Sequence, residues 1–296
     1  MKELVVVSGK GGTGKTSVVA AFATLAERKL LVDCDVNAAD LHLVLDPRIR
    51  YWEDFCGGRR ARIMPKFCTG CGKCQDLCQF GAVLQDGRGD CGKEGSYWID
   101  PVACKGCGVC VWFCPQKAIA FEDAENGKWF ISDTRYGPMV HARLSVAEED
   151  SGKLVSLVRE QSRRIARAQG LDLVIIDGPS GIGCPVIASM TGADLVLVVT
   201  DPTSVGAYDF GRIAELITHF GIPTVVCINK WDLNAQMTDF IEAEAQRRDI
   251  HVVGRIRYDS AVTRAQVMKA SVVEYTAGAV TQDIRGLWRH IVYSLG

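Results

Sequence analysis

The sequence predicts an α/β fold: a mostly parallel, doubly wound sheet with a second, α+β domain inserted into it. Short apolar runs of strand length alternate with segments of helical periodicity over most of the 296 residues, as is typical of parallel strands buried on both faces. The alternation stops between residues 64 and 121, and nine of the 13 cysteines lie between Cys68 and Cys114. The chain also exceeds the ~100 to 200 residues of one ordinary domain, so we expect two.

The elements follow from the periodicity. We expect strands at residues 4–7, 30–33, 173–176, 195–199, 225–228 and 250–253, and helices near residues 16–27, 154–168, 210–219, 237–248 and 283–293. The main domain then comprises residues 1–63 and 122–296, and the insert comprises residues 64–121. Residues 122–146 are compatible with a hairpin that returns the chain to the main fold. The apolar face of the last helix is expected to pack on the core, with membrane binding by this amphipathic helix as the alternative.

Composition and charge exclude several classes of protein. Apolar residues make up 48% and charged residues 23%, which are globular values. The 34 basic and 35 acidic residues give a net charge of -1, so no overall field attracts nucleic acid or an anionic membrane, and we expect neither as a partner. No apolar run approaches the ~20 residues that span a bilayer, and the first residues lack a signal-peptide pattern. We therefore expect a cytoplasmic protein.

A glycine-rich segment between the first strand and the first helix carries the strongest motif. The sequence SGKGGTGKT at residues 8–16 satisfies G-x4-G-K-S/T in the context that a phosphate-binding loop requires. Glycines let backbone N–H groups face phosphate oxygens, Lys15 reaches the outer phosphates and the Thr16 hydroxyl suits Mg2+. The predicted nucleotide-binding residues of this segment are Gly9, Gly11, Gly12, Thr13, Gly14, Lys15, Thr16 and Ser17.

An additional lysine, Lys10, extends this motif to GKGGTGKT, which resembles the deviant Walker A motif of MinD, ParA, Mrp and the nitrogenase iron protein. The resemblance implies an ATPase that forms a homodimer with ATP, in which Lys10 reaches the phosphates of the partner. The alternative for Lys10 is a solvated loop lysine.

Two acidic residues after strands match further motifs of the same family. Residues 33–37 (DCDVN) match its first switch, which implies that Asp35 orients the attacking water, a role that suits a carboxylate near a γ-phosphate. Residues 173–181 (LVIIDGPSG) resemble a Walker B strand with the second switch, which implies that Asp177 holds Mg2+ through water. The catalytic residues thus implied are Lys10, Lys15 and Asp35. Either aspartate is alternatively a helix cap.

Asn229 and Asp232 follow another strand, within the sequence NKWD, and occupy the position expected for base recognition. N-K-x-D is the guanine signature of G proteins, whereas the MinD-like family also ends this strand in asparagine and binds adenine. Lys10 favours ATP. Residues 254–258 (GRIRY) depart from the Ile-Pro that the family commonly carries beside the base.

The cysteines form two runs with the spacing C-x2-C-x2-C-x3-C, which resembles the bacterial ferredoxin run. In such domains the fourth cysteine of each run ligates the cluster of the other run. The resemblance implies two 4Fe-4S clusters. One is held by Cys68, Cys71, Cys74 and Cys114, and the other by Cys104, Cys107, Cys110 and Cys78. Zinc is the alternative.

Two other cysteines lie outside this scheme. Cys91 has no place among the eight ligands and is expected to be a spare thiol. Cys184 follows Asp177 at the offset at which the nitrogenase iron protein carries a cluster ligand, and its role stays open.

Taken together, the chain resembles a MinD-superfamily ATPase that contains a ferredoxin domain. Relatives suggest the assembly or reductive activation of metal centres. The implied function is ATP hydrolysis coupled to delivery of electrons or clusters to a partner metalloprotein. The alternatives are a nucleotide-gated electron carrier or iron-sulfur scaffold without essential ATP turnover, and a MinD-like spatial organiser.

Overall fold

A computed structural model describes residues 1–85, 96–145 and 151–296, which divide into two compact units. The first unit comprises Met1–Glu53, Lys128–Arg143 and Ser151–Gly296, and the second comprises Asp54–Gly127 and Leu144–Asp150. The elements of the chain, in order, are β1 (Lys2–Ser8), α1 (Lys15–Leu25), β2 (Lys29–Asp33), α2 (Leu41–Leu45), β3 (Arg48–Ile63), α3 (Lys73–Leu77), β4 (Val83–Gln85), β5 (Tyr97–Ile99), α4 (Val109–Trp112), β6 (Ile119–Thr134), β7 (Gly137–Leu144), α5 (Ser151–Ala168), β8 (Leu173–Ser180), α6 (Cys184–Met190), β9 (Leu195–Thr200), α7 (Ser204–Phe220), β10 (Thr224–Asn229), α8 (Ala235–Arg247), β11 (His251–Ile256), α9 (Ala261–Val267), α10 (Val272–Tyr275) and α11 (Ala279–Leu295).

The predicted α/β fold with a mostly parallel sheet is confirmed. Within the described ranges, nine strands form one sheet in the order β11-β10-β9-β1-β8-β2-β7-β6-β3. The pairs from β11 to β7 are parallel, and Val5 lies opposite Ile176 on one side and Val196 on the other. These central strands are apolar and buried because helices cover both faces of such a sheet. Their carboxyl ends share one edge, which places the loops after β1, β2, β8 and β10 together.

Helix α11 packs its apolar face on the core of the first unit. Ile284, Leu287 and Ile291 are buried there, and the rings of Phe22 and Trp288 lie 4.8 Å apart. Only the flank of this face, at Val292, is half exposed, at 49%. The expectation of a core-facing last helix is therefore met. No helix in the described part of the chain is long and apolar enough to cross a bilayer.

The observed division of the chain differs from the predicted one at both ends of the insert. We predicted residues 64–121, whereas the units change over between Glu53 and Asp54 and between Gly127 and Lys128. The strands β3 and β6, each of 16 residues, continue through these points. β3 was not predicted because its sequence, RIRYWEDFCGGRRARI, is mostly charged, polar or exposed and so lacks the apolar alternation that marks a strand.

The second unit is small and contains the two cysteine runs. Its strands β4 and β5 pair antiparallel, with Val83 opposite Ile99. Its short helices α3 and α4 each begin after a glycine with positive φ, at Gly72 and Gly108. A compact apolar cluster forms its centre, and cysteines from both runs pack against it.

Candidate functional site

The loop between β1 and α1 lines a cavity of about 370 Å3. Gly12 and Gly14 have φ of 80° and 91°, a region that side chains disfavour. A Cβ on Gly14 would lie 2.2 Å from Nδ2 of Asn229, so glycine is required there on both grounds. The predicted residues that line the cavity are Gly11, Gly12, Thr13, Gly14, Lys15, Thr16, Ser17, Asp35 and Asn229.

Lys15 is the cationic centre of this site. It is 6% exposed, its Nζ donates to Oδ1 of Asp177, and it lies 3.7 Å from Oδ2 of Asp35. Burial alone would lower the pKa of Lys15, but the carboxylates of Asp177, Asp35 and Asp33 outweigh burial and raise it. The lysine is therefore held protonated among three carboxylates, which suits binding of an anion beside a divalent cation.

Asp33 is the third carboxylate of this cluster, and the sequence did not single it out. It is buried, its Oδ1 accepts from the backbone N–H of Asp35 at 3.0 Å, and its Oδ2 has no hydrogen-bond partner. Burial and the nearby Asp177 raise the pKa of Asp33 well above its usual range. Burial also raises the pKa of Asp35, against the opposing effect of Lys15. An unpartnered buried carboxylate oxygen among other oxygen donors fits a Mg2+ ion or its water shell.

Lys10 does not line the cavity in this structure. Its Nζ lies 3.0 Å from Oδ1 of Asp201 and donates to Oγ1 of Thr203 at 2.9 Å, both within the same chain. Gly9, the residue before it, packs on the backbone of α7, where a Cβ would lie 2.6 Å from Cβ of Asp209. The phosphate loop is thus tied to the start of α7 by Gly9 and Lys10.

Residues of the motif NKWD contact two segments that line the cavity. Asn229 Nδ2 donates to the carbonyl oxygen of Thr13 at 2.7 Å, which ties it to the phosphate loop. Asp232 is exposed and lies outside the cavity lining. Its Oδ1 accepts from the backbone N–H of Tyr258 at 2.7 Å. The structure therefore brings Asn229 to the site and uses Asp232 to hold the segment after β11.

Several lining residues were missed by the sequence interpretation. Lys230 and Ser180 adjoin motifs that were recognised, so their neighbours signalled them, and Asp40 follows the first switch. The sequence analysis placed residues 254–258 beside the base by resemblance without assigning them a contact, and helix α9 carries no motif, so only its position beside the cavity identifies it. Their lining residues are Arg257, Tyr258, Asp259, Val262, Thr263 and Gln266.

Comparison with known protein families accords with this geometry. Residues 4–272 match the model of the CobQ/CobB/MinD/ParA nucleotide binding domain. The chain belongs to this family. Two uncharacterized proteins of Methanocaldococcus jannaschii are similar to it. One is 31% identical over 236 residues, which is 78% of this chain and 79% of that protein. The other is 26% identical over 244 residues, or 79% and 83% of the two chains.

Solved structures of this family share the fold. The septum site-determining protein MinD from Pyrococcus horikoshii, complexed with Mg-ADP, aligns with a TM-score of 0.56 at 17% identity, over 98% of this chain and 95% of that one. The MinC:MinD cell division complex of Aquifex aeolicus gives a TM-score of 0.59 at 17% identity, over 99% and 96%. At such identities the likeness is one of fold alone.

The eight cysteines of the two runs line two separate cavities in the second unit of the chain. The first cavity is lined by Cys68, Cys71, Cys74 and Cys114. The second is lined by Cys78, Cys104, Cys107 and Cys110. Each cavity thus contains three cysteines of one run and the fourth of the other, which is the partition that the resemblance to ferredoxins implied.

The walls and donors of these cavities fit a cluster. Ile63, Tyr97 and Ile119 belong to the wall of the first, and Val83 and Ile99 to that of the second. No group of three or more His, Cys, Asp and Glu side chains among the described residues is placed to hold a single metal ion. Four thiols in each cavity match the cysteine ligation of a 4Fe-4S cube, and four cysteines are also a ligand set of zinc.

The remaining cysteines differ in exposure. Cys34 and Cys227 are fully buried, and burial raises the pKa of each thiol, so they are unreactive members of the core. Cys56 and Cys184 are exposed. Cys91 lies outside the described residues.

Proposed function

We propose that the protein binds and hydrolyses ATP as a homodimer and couples its nucleotide state to the delivery of electrons or iron-sulfur clusters to a partner metalloprotein. The observation that carries the proposal is the pairing, in one chain, of a phosphate-loop cavity with two cavities that are lined by four cysteines each. A nucleotide-binding domain alone has no use for eight thiols at this spacing.

The proposed phosphoryl transfer rests on the groups around Lys15. Lys15 and the backbone N–H groups of the loop would hold the phosphates, and the Thr16 hydroxyl, with Asp177 acting through water, would hold Mg2+. Asp35 lines the cavity and would orient the attacking water. Its raised pKa indicates a carboxylate that is costly to keep charged without a cation, and Mg2+ would relieve this cost.

Dimerisation with ATP would recruit Lys10. In this structure Asp201 and Thr203 hold its ammonium group, so those contacts must break before it reaches a partner's phosphate. Lys10 would exchange the carboxylate of Asp201 for a phosphate group of the partner's ATP. Dimer formation would therefore depend on the nucleotide.

Two 4Fe-4S clusters would be held by the two sets of cysteines, and they would supply one-electron transfer or be the cargo that is delivered. The protein's part would be to hold them through these cysteines and the partly apolar walls of the two cavities. Along the chain, β3 follows Asp35 after a short segment. On the return, the chain leaves β7 and forms α5 and then β8, which contains Asp177. Both connections therefore adjoin segments that answer a γ-phosphate in such ATPases.

The experiment is anaerobic purification followed by three measurements on the same preparation. We expect about eight iron and eight sulfide per chain, from two cubes, and ATP turnover that Asp35→Ala lowers by orders of magnitude while ATP still binds. Reduction potentials and chelator-driven iron release should differ between nucleotide-free, ADP and non-hydrolysable ATP states. Zinc without sulfide would refute the clusters. Identical potentials and release rates would reduce the cysteine unit to a passenger.

Two other functions are distinguished by further measurements. A nucleotide-gated electron carrier or scaffold would keep its partner function when Asp35→Ala abolishes turnover. A spatial organiser is favoured by the likeness to MinD of Pyrococcus horikoshii. If it acted at membranes, liposome flotation with ATP would show firm binding, although the apolar face of α11 is buried in the core.

A further inference from the structure

The two cysteine runs of the second unit belong to one internal repeat. Residues of the first run recur 36 positions later, as from Cys68 to Cys104, and the helices α3 and α4 also begin 36 positions apart. The repeat extends to the cavity walls, where Ile63 lines the first cavity and its counterpart Ile99 lines the second. A pair of counterparts that differ in residue type therefore shows how the two cavities differ.

One such pair places a hydroxyl group at the first cavity. Tyr97 lines the first cavity, and its counterpart Ala61 lines the second. The Tyr97 hydroxyl oxygen would lie 3.0 Å from a Cβ on Gly72, which stands between Cys71 and Cys74. A tyrosine O–H is a hydrogen-bond donor. The first cavity thus has a donor beside the turn between two of its cysteines, where the second cavity has a methyl group.

The corresponding turn of the second run is covered by ring carbons instead. The counterpart of Gly72 is Gly108, and a Cβ there would lie 3.4 Å from ring carbons of Phe121 and 3.6 Å from a ring carbon of Trp112. Apolar atoms therefore occupy the place that the Tyr97 hydroxyl takes at the first cavity.

A second pair of counterparts differs in the same direction. Gln116 lines the first cavity and Phe80 lines the second, so an amide in one wall corresponds to a ring in the other. A cysteine of the first cavity also receives a backbone hydrogen bond, since the N–H of Ala118 donates to Sγ of Cys114 at 3.3 Å. The first cavity is therefore the more polar of the two.

These donors favour the reduced form of a cluster in the first cavity. Reduction adds a negative charge, which hydrogen bonds to the sulfurs stabilise and apolar surroundings oppose. Cationic side chains do not separate the two cavities in this way, because one lysine lines each of them, Lys73 the first and Lys105 the second. A difference in reduction potential should therefore come from the uncharged groups.

We infer that a cluster in the first cavity is reduced before one in the second, and that Tyr97 is the main residue that sets this order. Tyr97 packs against the apolar cluster of the unit, whereas Gln116 is exposed, so water screens the tyrosine dipole less. The inference rests on the two clusters of the proposed function and adds a direction to it. An external one-electron donor loses one electron and the cluster in the first cavity gains it, while a second equivalent is needed for the other cluster. An electron that enters at the second cavity would pass to the first.

The test is a potentiometric titration of anaerobically purified protein, followed by electron paramagnetic resonance, after its iron and sulfide have been counted. We expect two one-electron steps in the wild type. Tyr97→Phe keeps the ring and removes the donor, so it should lower the equilibrium constant of the higher-potential step about tenfold, as for one lost hydrogen bond to a charged group. This is a shift of about 59 mV for one electron. The lower-potential step should not move.

Reciprocal exchanges assign each step to a cavity. Gln116→Phe gives the first cavity the residue of the second and should lower the higher-potential step. Phe80→Gln does the reverse and should raise the lower-potential step. Trp98→Phe is the matched control, because Trp98 follows Tyr97 on β5, is 43% exposed and lines neither cavity; it should leave both steps unchanged.

The outcomes separate this inference from the proposed function. A single two-electron step in the wild type would overturn the inference, as would a Tyr97→Phe variant that moves only the lower-potential step or moves both steps equally. If Tyr97→Phe loses iron, the shifts of Gln116→Phe and Phe80→Gln decide in its place, and no shift in either would count against the inference. Zinc without sulfide in the wild type would refute the clusters of the proposed function, whereas about eight iron per chain with one step would refute this inference alone.

Discussion

Replacing Glu3 by glutamine tests the buried ionic network that joins β1 to α5 and α6. Glu3 and Arg159 are each 4% exposed. The Glu3 carboxylate accepts from Arg159 and Arg163, the latter also through Nη2 at 2.9 Å. Arg159 in turn donates to the carbonyl oxygens of Ala188 at 3.0 Å and Thr191 at 2.6 Å. Glutamine keeps the size of the side chain but leaves the Arg159 guanidinium buried without a counter-charge.

The expected loss in the free energy of unfolding depends on which of these contacts are buried. Breaking a buried pair by removing one partner costs about 3–5 kcal/mol. The Arg163 side chain is 35% exposed and can turn to water, so its share of the loss is small, about 0.5–1 kcal/mol. We therefore expect Glu3→Gln to lower the free energy of unfolding of the nucleotide-binding unit by about 4 kcal/mol, a large part of the ~5–15 kcal/mol that stabilises a domain.

The assay is urea unfolding followed by far-ultraviolet circular dichroism, with Glu3→Gln/Arg159→Met as the matched double variant. The double variant should be more stable than Glu3→Gln because it no longer buries an unpaired charge.

Burial alone would raise the pKa of Glu3, but Arg163 and Arg159 outweigh it and lower the pKa below 4.5. Since the folded-state pKa is depressed, the stabilisation is present above the unfolded value and is lost as pH falls through the folded one. A loss below about 1 kcal/mol at pH 7, or one that persists unchanged in acid, would refute the reasoning.

Three further changes have sharp expectations. Gly14→Ala should abolish nucleotide binding measured by calorimetry while the protein stays folded, whereas Gly286→Ala, which meets no atom within 4 Å, should bind normally; retained binding in Gly14→Ala would contradict the tight approach at the loop. Asp201→Asn should release Lys10 and lower the protein concentration needed for ATP-dependent dimers by about five-fold in light scattering, for a pair worth about 1 kcal/mol; an unchanged concentration would show that the pair does not restrain the lysine. Burial lowers the pKa of His141 to about 4, so the wild type should lose about 3 kcal/mol of stability between pH 7 and pH 4; His141→Gln should lack this component, and parallel pH curves would refute it.

The parts of the molecule that the sequence predicted are those governed by local rules. The strands of the central sheet are near-continuous apolar runs because they are buried on both faces, and the loop before Lys15 needs glycines for reasons visible in one segment. The partition of the cysteines between two cavities is the one that the resemblance of the two runs to ferredoxins implied.

The parts that escaped prediction depend on contacts between distant segments. Asn229 and Lys230 have the residue types of a base-recognition motif, and only the structure shows that their side chains donate to the carbonyl oxygens of Thr13 and Gly12. The ion pair of Lys10 joins residues 191 positions apart, and nothing near either residue signals it. β3 was missed for a different reason: an exposed strand obeys no hydrophobic alternation, so propensity and pattern carry no signal there.

The apolar cluster of the second unit indicates how its cysteines contribute to the stability of that unit. Among the described residues of this unit, one apolar cluster is formed by Ala61, Ile63, Val83 and Ile119, while the aromatic side chains of Trp112 and Phe67 are 74% and 58% exposed. A unit of about 70–80 residues commonly needs disulfides or metals in addition to its apolar core. Six of the cysteines pack directly on this apolar cluster. On the proposed function, the clusters that these cysteines hold would stabilise the folded unit. Ligation by residues far apart in the chain restrains the unfolded state, so the free energy of cluster binding contributes to folding. The cysteine unit would then be folded only when loaded, so cluster delivery would be coupled to the folding of the unit.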